Sequence, residues 1–88
     1  MNQTPPTVRR LLLDAIAADP EQRSQAAIAD CAGMSAKHLS QVIQGHARLG
    51  PGIAVKLDEV LGVPAEVLLI AQALADAAAA RALKEHKT

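Results

Sequence analysis

Apolar residues recur along the chain at the three- and four-residue spacing of helices, in five segments separated by breaks that carry glycine or proline. In the first, Val8, Leu12 and Ile16 share a face with Leu11 and Ala15 beside them, while Arg9, Arg10 and Asp14 fall elsewhere on the wheel. This predicts a helix from Thr7, a good cap, to Ala18, ended by Asp19-Pro20. Ser24 predicts the cap of a second helix over Gln25 to Ala32, with Ile28, Ala29 and Ala32 inward, and Gly33 supplies a residue tolerant of positive φ for the turn. Ser35 caps a third helix to about Gln44 that buries Leu39, Val42 and Ile43, and Gly45 ends it. Ile53, Ala54, Leu57 and Leu61 predict a fourth helix over Gly52 to Leu61, closed by Gly62. After Val63-Pro64 a long alanine-rich fifth is expected over Ala65 to Lys84, with Val67, Leu68, Ala71, Leu74, Ala75 and Ala78 on one side. The pattern predicts an all-α protein.

Length and composition narrow this further. At 88 residues the chain suits one domain with a modest core, for which oligomerisation would add stability. Half of the residues are apolar and none is aromatic, so the core must come from Leu, Ile, Val, Ala and Met. The expected organisation is a flexible arm over 1–6, a five-helix domain over 7–72 and a C-terminal helical extension over 73–88.

Net charge is zero, which excludes a uniformly basic surface that holds nucleic acid by bulk electrostatics. Its distribution is uneven: from Cys31 to Leu57 there is no Asp or Glu, yet the segment carries Lys37, Arg48 and Lys56, along with His38 and His46. A single cysteine, Cys31, allows no internal disulfide. Met1 to Pro6 lacks the basic start and apolar run of a signal peptide, and no apolar stretch has the length of a membrane span, so a cytoplasmic protein is expected.

The informative unit is the stretch from Ser24 to Gly45. Two short helices that cross at a steep angle need a small residue at the crossing, a glycine in the turn and apolar residues facing inward from both; Ala29, Gly33, Leu39 and Val42 meet these needs. The spacing thus predicts a helix-turn-helix over 24–45 whose second helix, 35–44, leaves Ala36, Lys37, His38, Ser40 and Gln41 free to enter a major groove. Lys37 and Gln41 lie four apart on one face, where an ammonium suits guanine O6/N7 and an amide suits adenine. Helix N-termini and the loop after a recognition helix run along the backbone in this docking mode, which makes Gln25, Ser35, Ser40, Gln44, His46 and Arg48 the candidate phosphate contacts.

With these residues in place, the segment resembles the helix-turn-helix of the lambda-repressor and Cro class, the XRE family, and the likeness extends over all five helices. The resemblance implies a five-helix lambda-repressor-like DNA-binding domain, a phosphate-binding role for Gln25 at the start of the second helix, and base reading by Ala36, Lys37, His38 and Gln41. Within that class the chain is similar to HigA-type antitoxins, on Leu39-Ser40, Val42-Ile43 and Gly45, a proline-bearing loop, Ala54-Val55-Lys56-Leu57, Leu61-Gly62, and then Glu66, Leu69 and Gln72. That similarity implies a repressor of its own operon and a toxin protein as a second partner.

The last helix carries Leu74, Ala75, Ala78 and Ala82 beyond what a compact core can cover, and small residues permit close approach, so a homodimer through this helix is expected. Two copies would read a two-fold operator in double-stranded DNA. No carboxylate pair, nucleophile with a base, or phosphate loop points to an enzyme, Gly50-Pro51-Gly52 is a turn signal, and neither a cofactor nor a metal is expected. Two other readings stay open: a phage Cro or immunity regulator, and a protein-interaction subunit whose DNA face is idle.

Overall fold

The computed structural model describes residues 6–86. The arm expected over 1–6 therefore lies, apart from Pro6, outside the described residues. Five helices follow in order: α1 (Val8–Ala17), α2 (Gln25–Cys31), α3 (Ala36–Gln44), α4 (Pro51–Leu61) and α5 (Ala65–His86), with no strand among the described residues. None of the described helices is long and apolar enough to cross a membrane.

Local chemistry explains where the helices start. The hydroxyl oxygens of Thr7, Ser24 and Ser35 accept from the backbone N–H groups of Arg10, Ala27 and His38 at 3.1, 3.1 and 3.0 Å, satisfying donors that have no partner inside the helix. α4 begins one residue earlier than expected because Pro51, with its φ already set and no N–H to satisfy, occupies the first helical position. Asp58 of α4 accepts at 3.1 Å from the N–H of Ala65 and so caps α5 from another helix.

Three of the ends, those of α2, α3 and α4, are closed by glycine in the left-handed region: Gly33, Gly45 and Gly62. At the end of α2, Gly33 has φ +72°; its N–H donates to Asp30 O at 3.1 Å, and Met34 N–H donates to Ala29 O at 2.9 Å. Gly45, at φ +83°, closes α3 in the same way, with His46 N–H on Gln41 O at 2.8 Å. No heavy atom would meet a Cβ at Gly33, so the backbone angle rather than crowding requires glycine there.

The core takes one fully buried large side chain from each helix: Leu12, Ile28, Leu39, Leu57 and Leu68. α3 packs on α1 and α2, α5 on α4 and α1, and α2 on α4. Leu49, in the loop after α3, is buried with them, although its place outside any helical pattern gave no sign of it.

α5 corrects the expected inward face. Its buried positions are Ala65, Leu68 and Ala71, whereas Val67 is 40% exposed, Leu74 is 50% exposed, and Ala75 and Ala78 are exposed as well. The helix has 22 residues, about 33 Å at 1.5 Å per residue, and the other four helices cover only its first two turns.

Asp19, just past the end of α1, is buried. Its carboxylate accepts from the N–H of Arg23 at 2.8 Å and from the guanidinium Nε and NH2 at 3.0 and 3.1 Å, and the same guanidinium donates to Val60 O at 3.1 Å. The pair thus ties the α1–α2 loop, in which Gln22 adopts φ +52°, to the end of α4. Hydrogen bonds from the Arg23 side chain and backbone lower the Asp19 pKa from 3.8 to about 2, against the opposing effect of burial. The unfolded chain takes up this proton at higher pH than the native one. Asp19 therefore contributes stability in full above about pH 4, and that contribution is lost as pH falls through about 2. Melts between pH 2 and 5 should show a flatter acid limb for Asp19→Asn than for the unmodified protein; parallel limbs would rule out this assignment.

Candidate nucleic-acid interface

α3 is amphipathic in a simple way. Leu39, Val42 and Ile43 are buried, and on the opposite side of the wheel lie Lys37, Gln41 and Gln44, with Ser40 at the margin. Lys37 and Gln44 are exposed, while Ser40 and Gln41 are half-buried. The amide of Gln44 donates to Ser40 Oγ at 3.2 Å, linking two of the four. Ala36 is exposed in the first turn, and His38 is half-buried on the flank beside Val42.

The flanking candidates are less uniform. Gln25 is half-buried in the first turn of α2. Ser35 is exposed, but its oxygen already accepts from His38 N–H, leaving its O–H and one lone pair for other partners. His46 is exposed just past Gly45. The structure thus brings Lys37, Ser40, Gln41 and Gln44 to one face, with Ala36 and Ser35 at its N-terminal end and His46 beyond its C-terminal end.

Arg48 differs from a free loop charge. Its guanidinium is 2.5 Å from the carboxylate of Asp76 on α5, with both side chains partly open to water. The segment from Cys31 to Leu57 is free of acid in sequence, but not in its surroundings. The loop is also held by Gln72 of α5, whose amide oxygen accepts from Leu49 N–H at 2.7 Å and whose amide nitrogen donates to Leu49 O at 2.9 Å. One side chain thereby satisfies both backbone groups of a buried residue. Among the described residues no buried side-chain polar atom lacks a partner.

Sequence reasoning did not assign these roles to Gln72 and Asp76. For Gln72 a signal existed: it is the one amide on the side of α5 that carries Ala65 and Leu68, where a polar group must find a partner. Asp76 offered no such signal, since acids on a long exposed helix are ordinary. Where α1 begins, α3 ends and α5 passes, a shallow cleft of about 190 Å³ is walled by Arg9, Val42, Ala47, Arg48 and Asp76 among others. Arg10 points its charge to Asp14 at 3.1 Å on the surface of α1.

The four residues expected to pair copies of the chain, Leu74, Ala75, Ala78 and Ala82, are all exposed. They do not form one line. Ala75 and Ala82 continue the core-facing side of α5 past the globule, whereas Leu74 turns toward Ile70, which is 59% exposed. No protein-family model, curated protein or solved structure matches this chain.

Proposed function

We propose that this protein is a sequence-specific double-stranded DNA-binding regulator, a repressor, in which α3 enters the major groove of an operator and two copies read its two halves. The reading takes the five helices as a lambda-repressor-like domain of the XRE class. What carries it is the exposed face of α3: Lys37, Gln41, Ser40 and Gln44 offer donors and acceptors that suit base edges and phosphate, no acid interrupts them, and Leu39, Val42 and Ile43 hold the helix rigidly from behind. A face built on a packed helix positions such groups more reproducibly than a loop does. The HigA-type antitoxin and the phage-type regulator share this face and differ in whether a toxin protein is a second partner.

Selection from a random double-stranded DNA pool tests the proposal directly. A preferred site with two-fold symmetry is expected. Lys37→Ala or Gln41→Ala should then cost roughly 1 to 3 kcal/mol on that site and relax the preference at the base pair each side chain reads. An equal loss on random DNA would contradict base reading, and a pool without enrichment would overturn the proposal. The pairing of Arg48 with Asp76, together with zero net charge, favours the second reading, a protein-interaction subunit with an idle DNA face, and that reading expects no enrichment.

A further inference from the structure

The outer face of α5 gathers three of the five large apolar side chains exposed among the described residues. Val67, Ile70 and Leu74 are 40%, 59% and 50% exposed, on the side of the helix turned away from Ala65, Leu68 and Ala71. Ile70 and Leu74 are four apart, and Val67 precedes Ile70 by one turn, so the three form a continuous patch. The same side continues through Ala73, Ala77 and Ala80 to Arg81 and Lys84, and it begins at Glu66. It therefore carries an acid at one end, cations at the other, large apolar groups in its first half and alanines in its second.

We infer that this face binds the same face of a second copy, with the two α5 helices antiparallel. About a two-fold axis between positions 73 and 74, Glu66 falls opposite Arg81 of the other copy, Val67 opposite Ala80, Ile70 opposite Ala77 and Leu74 opposite Ala73. Every large side chain meets an alanine and each acid meets a cation, twice over by symmetry. Facing large against small is what lets two helices interdigitate at close range, and opposite charges at the rim select the orientation. A parallel pair would instead set large against large, alanine against alanine and Glu66 against Glu66. Asp76, the one acid besides Glu66 within residues 66–81, is engaged with Arg48 off this face and does not interrupt it. The contact from 66 to 81 runs about 22 Å along the helix.

This inference deepens the two-copy part of the reading above but does not depend on DNA contact, so it is tested without DNA. Sedimentation equilibrium of the full chain should show a dimer. Glu66→Arg and Arg81→Glu should each weaken it several-fold to about tenfold, because two attractive pairs become two repulsive ones. The double variant should regain the original affinity. Both positions are exposed, and circular dichroism should show unchanged helix content in all three variants. Ile70→Glu should yield monomer. A monomeric unmodified chain, neutral single reversals as a parallel pair would give, or a double variant no better than either single would each overturn the arrangement. A dimer that selects no DNA site would sink the DNA reading and leave this one standing.

Discussion

Replacing Leu39 by alanine is expected to destabilise the domain by about 2 to 5 kcal/mol, the range for truncating a buried leucine whose surroundings cannot collapse into the space. Leu39 is fully buried where α3 packs on α1 and α2, and it shares its cluster with Leu12, Ile28 and Val42. In a domain of this size total stability is of the order of 5 to 15 kcal/mol, so a single truncation here removes a large part of it. Each kcal/mol lowers the melting temperature by roughly 4 to 8 °C. The control is on the same helix: Gln44→Ala, on the exposed side, should stay within about 0.5 kcal/mol. Urea titrations at one fixed protein concentration read both, since dimerisation would otherwise shift the midpoint. A loss below about 1 kcal/mol for Leu39→Ala would mean that α3 is not seated as described. The contrast bears on the proposed function, in which Leu39 would seat the helix and Lys37 and Gln41 would meet the bases.

The second large effect concerns salt. On the DNA-binding reading, three or four cationic contacts per subunit in a dimer give a log-log slope of affinity against salt of roughly −5 to −7. Between 50 and 200 mM salt that is a loss of about a thousandfold or more. Arg48 decides part of this slope. It pairs with Asp76 in the free protein, and a phosphate would have to draw it away, so the affinity it adds is reduced by the pair it leaves, while the counterion it displaces from DNA still counts in the slope. Arg48→Ala should flatten the slope by about 2 in the dimer, one counterion for each copy. Asp76→Asn should leave the fold intact and tighten binding at low salt, because the guanidinium is then free. A flat salt response of the unmodified protein would remove the electrostatic argument, and an unchanged slope for Arg48→Ala would take Arg48 out of the interface.

The face of α3 was legible in the sequence because it is a local property: a capping serine, apolar residues at three- and four-residue spacing, and a glycine at the end assign Lys37, Gln41 and Gln44 to the side opposite Leu39, Val42 and Ile43. The loop after it was not. Arg48 read as a candidate phosphate contact with no acid beside it, and nothing marked Leu49 for burial, because their partners Asp76 and Gln72 stand 28 and 23 residues away, a separation that no local rule spans.

The same division runs through the molecule. By itself the sequence determined five helices to within a residue or two at most ends, since caps, positive-φ glycines and Pro51 act within one turn of the chain. It also determined that the core is aliphatic and that the first four helices turn the residues their patterns mark inward, fully buried in α2 and α3 and at Leu12, Ala54 and Leu57, partly buried at Val8, Ile16, Ile53 and Leu61. Only the tertiary structure decided which side of α5 is inner. In an alanine-rich helix the apolar contrast between faces is too weak to choose, and it was the docking of α4 and α1 that buried Ala65, Leu68 and Ala71 and left Val67, Ile70 and Leu74 in water. Only the tertiary structure, likewise, turned Asp19 from a helix-ending acid into a buried anchor: its value comes from a guanidinium that reaches both the carboxylate and Val60, and that geometry exists only once α4 is in place.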